Sequence, residues 1–135
     1  MPYTPNAVVA HSFSFPDFTF TMNVSGAVTR ADVGKAVTLD PATANTVKLA
    51  GDGDHVYGRL ESLEADGLDG LTVGAVSRKF RSVIETAAAV TVGAEVVGSA
   101  TAGKVKPTAV QPAEGAKSNR VLEVLTGNRA VIEKL

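Results

Sequence analysis

The sequence predicts an all-β protein: a compact β-sandwich or β-barrel built of short antiparallel hairpins, with an extended N-terminal arm. Three observations carry that prediction. Short runs rich in Val, Thr and Leu recur along the chain, turn formers such as Asp40-Pro41, Asp66-Gly67, Asp69-Gly70 and Gly127-Asn128 cut them apart, and helical periodicity is scarce. Sandwich and barrel stay open alternatives, because both arise from the same alternation of buried and exposed positions.

Residues 1–25 read as the arm and residues 26–135 as a single β domain. The opening MPYTPNAVVA has two prolines and little pattern, so it reads as extended. Four of the five Phe residues follow, within SFSFPDFTF. Phe13/Phe15 and Phe18/Phe20/Met22 alternate with polar residues on either side of a Pro16-Asp17 turn. These rings have two readings. Either they cover an open end of the β core, as aromatics commonly do, or they form a partner-binding arm whose contact residues are Tyr3, Phe13, Phe15, Phe18, Phe20 and Met22.

Beyond the arm, two segments resemble each other: DVGKAVTLDPATANTVK (Asp32 to Lys48) and TVGAEVVGSATAGKVKP (Thr91 to Pro107). In each, a Val-Gly turn leads into a strand, a loop of small residues reverses the chain, and a second strand carries Val-Lys. The stretch Gly98–Val105, GSATAGKV, also reads G-x-x-x-x-G-K, close to a nucleotide-binding P-loop. A P-loop needs a Ser or Thr hydroxyl next and then a helix, whereas this chain continues with Val105, Lys106 and Pro107. Gly103-Lys104 is therefore read as a hairpin exit equivalent to Asn45-Thr46. A third Val-Gly, Val73-Gly74, leads into AVSRKFRSVIE; residues 77–89 are read as strand or irregular loop in preference to a short helix. The last segment, VLEVLTGNRAVIEKL, alternates on both sides of Thr126-Gly127-Asn128 and predicts a C-terminal hairpin that buries Val121, Val124, Val131 and Leu135.

Composition narrows function. With 135 residues, 44% of them hydrophobic and 20% charged, the chain can bury one core. Its net charge of −1, with no long Lys/Arg run, offers no footprint for nucleic acid or an acidic membrane, although Arg78, Lys79 and Arg81 could assemble a basic patch. With no Cys, thiol and zinc-thiolate chemistry are excluded. No secretory signal or apolar run of spanning length is present, so a cytoplasmic site of synthesis is expected.

No catalytic constellation stands out, so no enzymatic activity, cofactor or metal is expected. The two His residues, His11 and His55, do not form part of a recognisable triad pattern. Asp52, Asp54 and His55 begin like a calcium loop but continue with Val56-Tyr57, where that loop needs further oxygen ligands and Gly. They read better as a solvated turn.

The runs GAVTRADVGKAVTLD from Gly26, VYGRLESLE from Val56, TVGAEVVG from Thr91 and VLEVLTG from Val121 resemble small capsid decoration (cement) proteins of tailed bacteriophages. The likeness covers most of residues 26–135. It implies a β-rich body on the exterior of the virion, made in the host bacterial cytoplasm. It also implies binding to the major capsid protein, assembly as a homo-oligomer (dimer or trimer), and clamping of neighbouring capsid subunits without an active site. The alternatives are a phage tail or head-completion subunit, or a small ligand- or carbohydrate-binding β domain, which a groove at Tyr57 or Phe80 beside Asp52 and Asp54 would favour.

Overall fold

The computed structural model describes residues 12–14, 19–64, 72–108 and 119–134. Its strands are β1 (Ser12–Ser14), β2 (Thr19–Val24), β3 (Ala36–Leu39), β4 (Thr46–Leu49), β5 (Gly58–Glu64), β6 (Val73–Ser77), β7 (Phe80–Glu85), β8 (Val96–Gly98), β9 (Val105–Pro107), β10 (Asn119–Leu125) and β11 (Arg129–Lys134). A single 3₁₀ turn, Arg30–Asp32, precedes β3. The protein is all-β, as its alternation predicts.

Strands β2, β4, β3, β5 and β6, in that spatial order, close into a small barrel, here barrel 1. Its interior is filled by Val37, Val47, Leu60 and Val76, each fully buried, with Val24, Val28 and Leu63 beside them. Each such side chain gains about 1.5–3 kcal/mol over its exposed state. Strand β1 and strands β7, β11 and β10 form a four-stranded sheet, and β8 pairs with β9.

The second half repeats the first strand for strand. Leu60↔Val76 and Ser62↔Ala75 flank a bulge between β5 and β6, and Val121↔Ile132 and Glu123↔Val131 flank the same bulge between β10 and β11. Strand β6 pairs onward with β2 (Val76↔Phe20), as β11 does with β7 (Ile132↔Ser82). The parallel pair Val24↔Val47 of β2 and β4 has its counterpart in the isolated bridge Thr86↔Val105, and Ala36↔Arg59 in Glu95↔Arg120. Strands β7, β9, β8, β10 and β11 thus close a second barrel, barrel 2, with single bridges where barrel 1 has ladders.

The turns agree. Asp32-Val33-Gly34-Lys35 and Thr91-Val92-Gly93-Ala94 are both closed by an i→i+3 hydrogen bond of 3.1 Å. Gly34 and Gly93 take φ of +93° and +86°, the left-handed value that Gly tolerates at the third turn position. The Gly34 and Gly93 amides then donate to Leu60 and Val121, again equivalent residues. Asn45 (φ +56°) and Gly103 (φ +82°) close the two hairpin loops. GSATAGKV is therefore a strand end and hairpin loop.

Barrel 1 plugs one end of barrel 2. The core of barrel 2 (Phe80, Ile84, Val96, Val105, Val121, Ile132) is completed by Ala36, Ala50 and Val56 of barrel 1. The Gly98 amide donates to the Asp54 carbonyl at 2.8 Å, and Gly98 lies so close to Ala50 and the Gly51 carbonyl that a Cβ there would overlap them. Lys106 pairs with Asp52 across the same seam.

Two expectations change, and the choice between strand and loop for residues 77–89 resolves. Residues 19–24, assigned to the arm, are a wall of barrel 1, because β2 pairs with both β6 and β4. Within residues 77–89, Phe80–Glu85 is a strand whose alternate residues Phe80, Ser82 and Ile84 face the core. Val124 is 48% exposed and not buried: the bulge at Leu122 adds a residue to β10 and reverses its alternation. Val121 and Val131 are buried as expected, and Leu135 lies outside the described residues.

Candidate functional site

The end of barrel 1 away from the seam's Gly34–Lys35 turn gathers the start of β2, the β3–β4 loop (Asp40 to Asn45), the start of β5 and the end of β6. The parallel pairing of β2 with β4 and the antiparallel pairing of β3, β5 and β6 put these termini together. Alternate residues of β2 point into the barrel, and their burial deepens along the strand: Phe20 is 51% exposed, Met22 half-buried and Val24 buried. Leu39 is 48% exposed, two residues on from fully buried Val37. Both large apolar side chains stand at the rim.

Beside Leu39 opens a groove of about 560 Å³ lined by Met22, Leu39, the loop from Asp40 to Asn45, Thr46 and Tyr57. The loop has a defined shape. Asp40 Oδ1 accepts from the Ala42 amide at 2.9 Å, the Asp40 amide donates to the Thr46 carbonyl at 2.9 Å, and the Thr46 hydroxyl donates to the Ala44 carbonyl at 3.0 Å. On the far wall, the Arg78 guanidinium sits 3.8 Å from the Tyr57 ring centroid, and its Nε donates to the Tyr57 carbonyl at 2.8 Å. That cation–π contact holds the ring against the core.

Behind Tyr57, at the junction of the barrels, cations converge. Lys134 of β11 is 2% exposed, and its Nζ lies 3.5 Å from His55 Nε2. Burial, and then the Arg78 charge, lowers the Lys134 ammonium to about 8. Burial, followed by the Lys134 and Arg78 charges, also pushes the His55 imidazolium below its ordinary value. Neutral His55, with Nε2 unprotonated, can accept a hydrogen bond from the Lys134 ammonium, which is how this pair avoids direct repulsion.

Of the six arm residues, Met22 lines the groove, and Phe20 stands two residues before it on β2. Phe13 lies on β1, paired with Arg81 of β7, while Tyr3, Phe15 and Phe18 lie outside the described residues. Phe20 stands half-exposed at the barrel end. Phe80 is fully buried in the barrel 2 core and lines no groove. Asp52 is tied to Lys106 across the seam, and Asp54 Oδ2 accepts from the Gly51 amide at 2.8 Å within the turn. Among the described residues no group of His, Cys, Asp and Glu is placed to hold a metal, and no helix is long and apolar enough to cross a membrane. The basic trio does not form one patch: Arg78 turns to Tyr57, and Arg81 pairs with Glu133 at 2.8 Å.

Leu39 was not visible as a site residue in the sequence, because AVTL reads as an ordinary buried strand. Its one signal is its place directly before Asp40-Pro41, at a strand end where alternation runs out of core. No family model matches the chain, and no curated protein matches it.

Proposed function

We propose that the chain is a structural virion protein: a decoration, or cement, subunit that binds the exterior of a major capsid shell and clamps neighbouring capsid subunits. The observation that supports docking is the rim of barrel 1, where Leu39 stands half-exposed on an open groove and Phe20 half-exposed two residues along β2 from Met22, which lines it. Large apolar groups gathered at one exposed site mark a contact surface. Covering the open half of each yields about 1 kcal/mol per side chain, so a single contact is weak. A homo-oligomer, dimer or trimer, would turn several weak contacts into stable binding, because each further contact is intramolecular. The role requires no catalysis, cofactor or nucleic acid.

The test is sedimentation of the purified chain, alone and mixed with expanded, undecorated capsids of its own phage. Saturable co-sedimentation at a fixed ratio to capsid subunits is expected, and the mass of the free chain gives its oligomeric state. A folded chain that stays in the supernatant would exclude the decoration role and leave the tail-subunit and ligand-binding alternatives.

A further inference from the structure

The equivalence of the two barrels exposes one position that no described residue fills. On barrel 2, β7 is paired on both edges over Phe80–Ser82: β11 lies on one side and β1 on the other, with Ser12↔Ser82, Phe13↔Arg81 and Ser14↔Phe80 antiparallel. On barrel 1 the counterpart of β7 is β2, with Phe20 in the place of Ser82 and Thr19 in that of Arg81. Strand β2 pairs with β6 over Thr19–Asn23, and on its other edge with β4 only at Asn23 and Val24. Among the described residues nothing pairs with that second edge at Thr19, Phe20 or Thr21.

Met22, the next residue along β2, lines the groove with the Asp40–Asn45 loop. A row of unpaired backbone donors and acceptors at a sheet edge is a template for another strand. The chain itself supplies such a strand to the equivalent edge of barrel 2.

We propose that the free edge of β2 accepts an extended segment of the capsid protein as an added antiparallel strand, in the position that Ser12–Ser14 holds on β7. This rests on the reading that the partner is a capsid shell. The Ser12–Ser14 strand of a second copy is not the occupant, because it is already seated on its own β7. The register of β1 also fixes the chemistry of the incoming strand. Ser12 lies opposite Ser82, whose place in barrel 1 is filled by the much larger Phe20, so the residue of the segment opposite Phe20 is small: Gly, Ala or Ser.

Hydrogen exchange of the full chain, free and bound to undecorated capsids, tests the assignment. On binding, at least one amide of Thr19–Thr21 is expected to slow by about tenfold or more, while amides of β7, paired on both edges already, hold their rates. Saturable capsid binding that leaves the 19–21 amides unchanged overturns the strand slot and spares the decoration role. Slowing that appears in the free chain as its concentration rises overturns it too, by making a second copy the occupant. Absence of capsid binding removes both.

Discussion

Barrels 1 and 2 share strand order, register, bulge and turn geometry, yet they differ at their equivalent rims. Barrel 2 carries Ser82 and Gly98 where barrel 1 carries Phe20 and Leu39. The small pair sits under a lid: Gly98 lets the Ala50-Gly51 turn approach to backbone contact, and β1 lies along Ser82. The large pair has no lid, and it is half-exposed. A fold requirement cannot explain large apolar residues at the open rim and small ones at the closed rim, since burial would favour the reverse. The difference teaches that the rim of barrel 2 is shaped to hold barrel 1, and it is the rim of barrel 1 that the docking proposal puts to use.

The sharpest way to break this comparison is to give barrel 2 the residue of barrel 1. Gly98→Leu places a side chain where the Gly51 carbonyl and Ala50 Cβ already lie, and neither backbone nor β carbon can swing aside. Overpacking of this kind is expected to cost at least about 3 kcal/mol, or a fall of roughly 10 °C in melting temperature followed by circular dichroism. The reciprocal Leu39→Gly removes a half-exposed side chain and loosens one strand end, for about 1 kcal/mol. Equal losses in the two variants would mean that the rims are not differently used.

Much of this was legible in the sequence, and the limit is physical. The Val-Gly turns and the loops PATAN and ATAGK repeat visibly because left-handed and tight-turn positions restrict residue choice. The rest of the repeat is hidden. β2 (TFTMNV) and β7 (FRSVIE) need only alternate apolar residues on one face, so they share a register without sharing letters. The bulge at Leu122 left no mark either, which is why Val124 was expected inside. The rim was half legible: Phe20 and Met22 stood out as part of an aromatic run, whereas Leu39 and Tyr57 come to Met22 only through barrel closure.

A second contrast lies at the junction, where barrel 2 contributes Lys134 as a buried cation beside His55 and Arg78 of barrel 1. The folded state lowers the Lys134 ammonium from 10.5 to about 8, so between those values the unfolded chain binds more protons and stability rises with pH. The gain across that window is roughly 2 kcal/mol, allowing for screening. His55 acts with the same sign at lower pH: because its folded value is depressed, stability is lost as pH falls below 6.5. Lys134→Met is expected to raise stability at pH 7 by about 2 kcal/mol and to flatten the alkaline rise. Denaturant midpoints at pH 7 and 10 measure both effects. An unchanged slope with pH would show that Lys134 keeps its proton through an interaction with another group.

The smallest effect on the fold, and the most informative for function, comes from giving barrel 1 the residue of barrel 2. Phe20→Ser reproduces Ser82 at a position that is 51% exposed, so the change in folding free energy is expected to stay within about 1 kcal/mol. Binding to undecorated capsids is expected to weaken at least tenfold, about 1.4 kcal/mol per site, because the ring is lost from the centre of the contact. A multivalent clamp multiplies that loss across its sites, so a small step in monomer stability becomes a large step in shell occupancy. Two outcomes would separate the explanations. A stability loss above about 2 kcal/mol would make Phe20 a core residue whose exposure carries no message, whereas unchanged capsid affinity in a stable variant would move the docking surface away from this rim. Only loss of binding with the fold intact leaves the difference between the two rims with a functional cause.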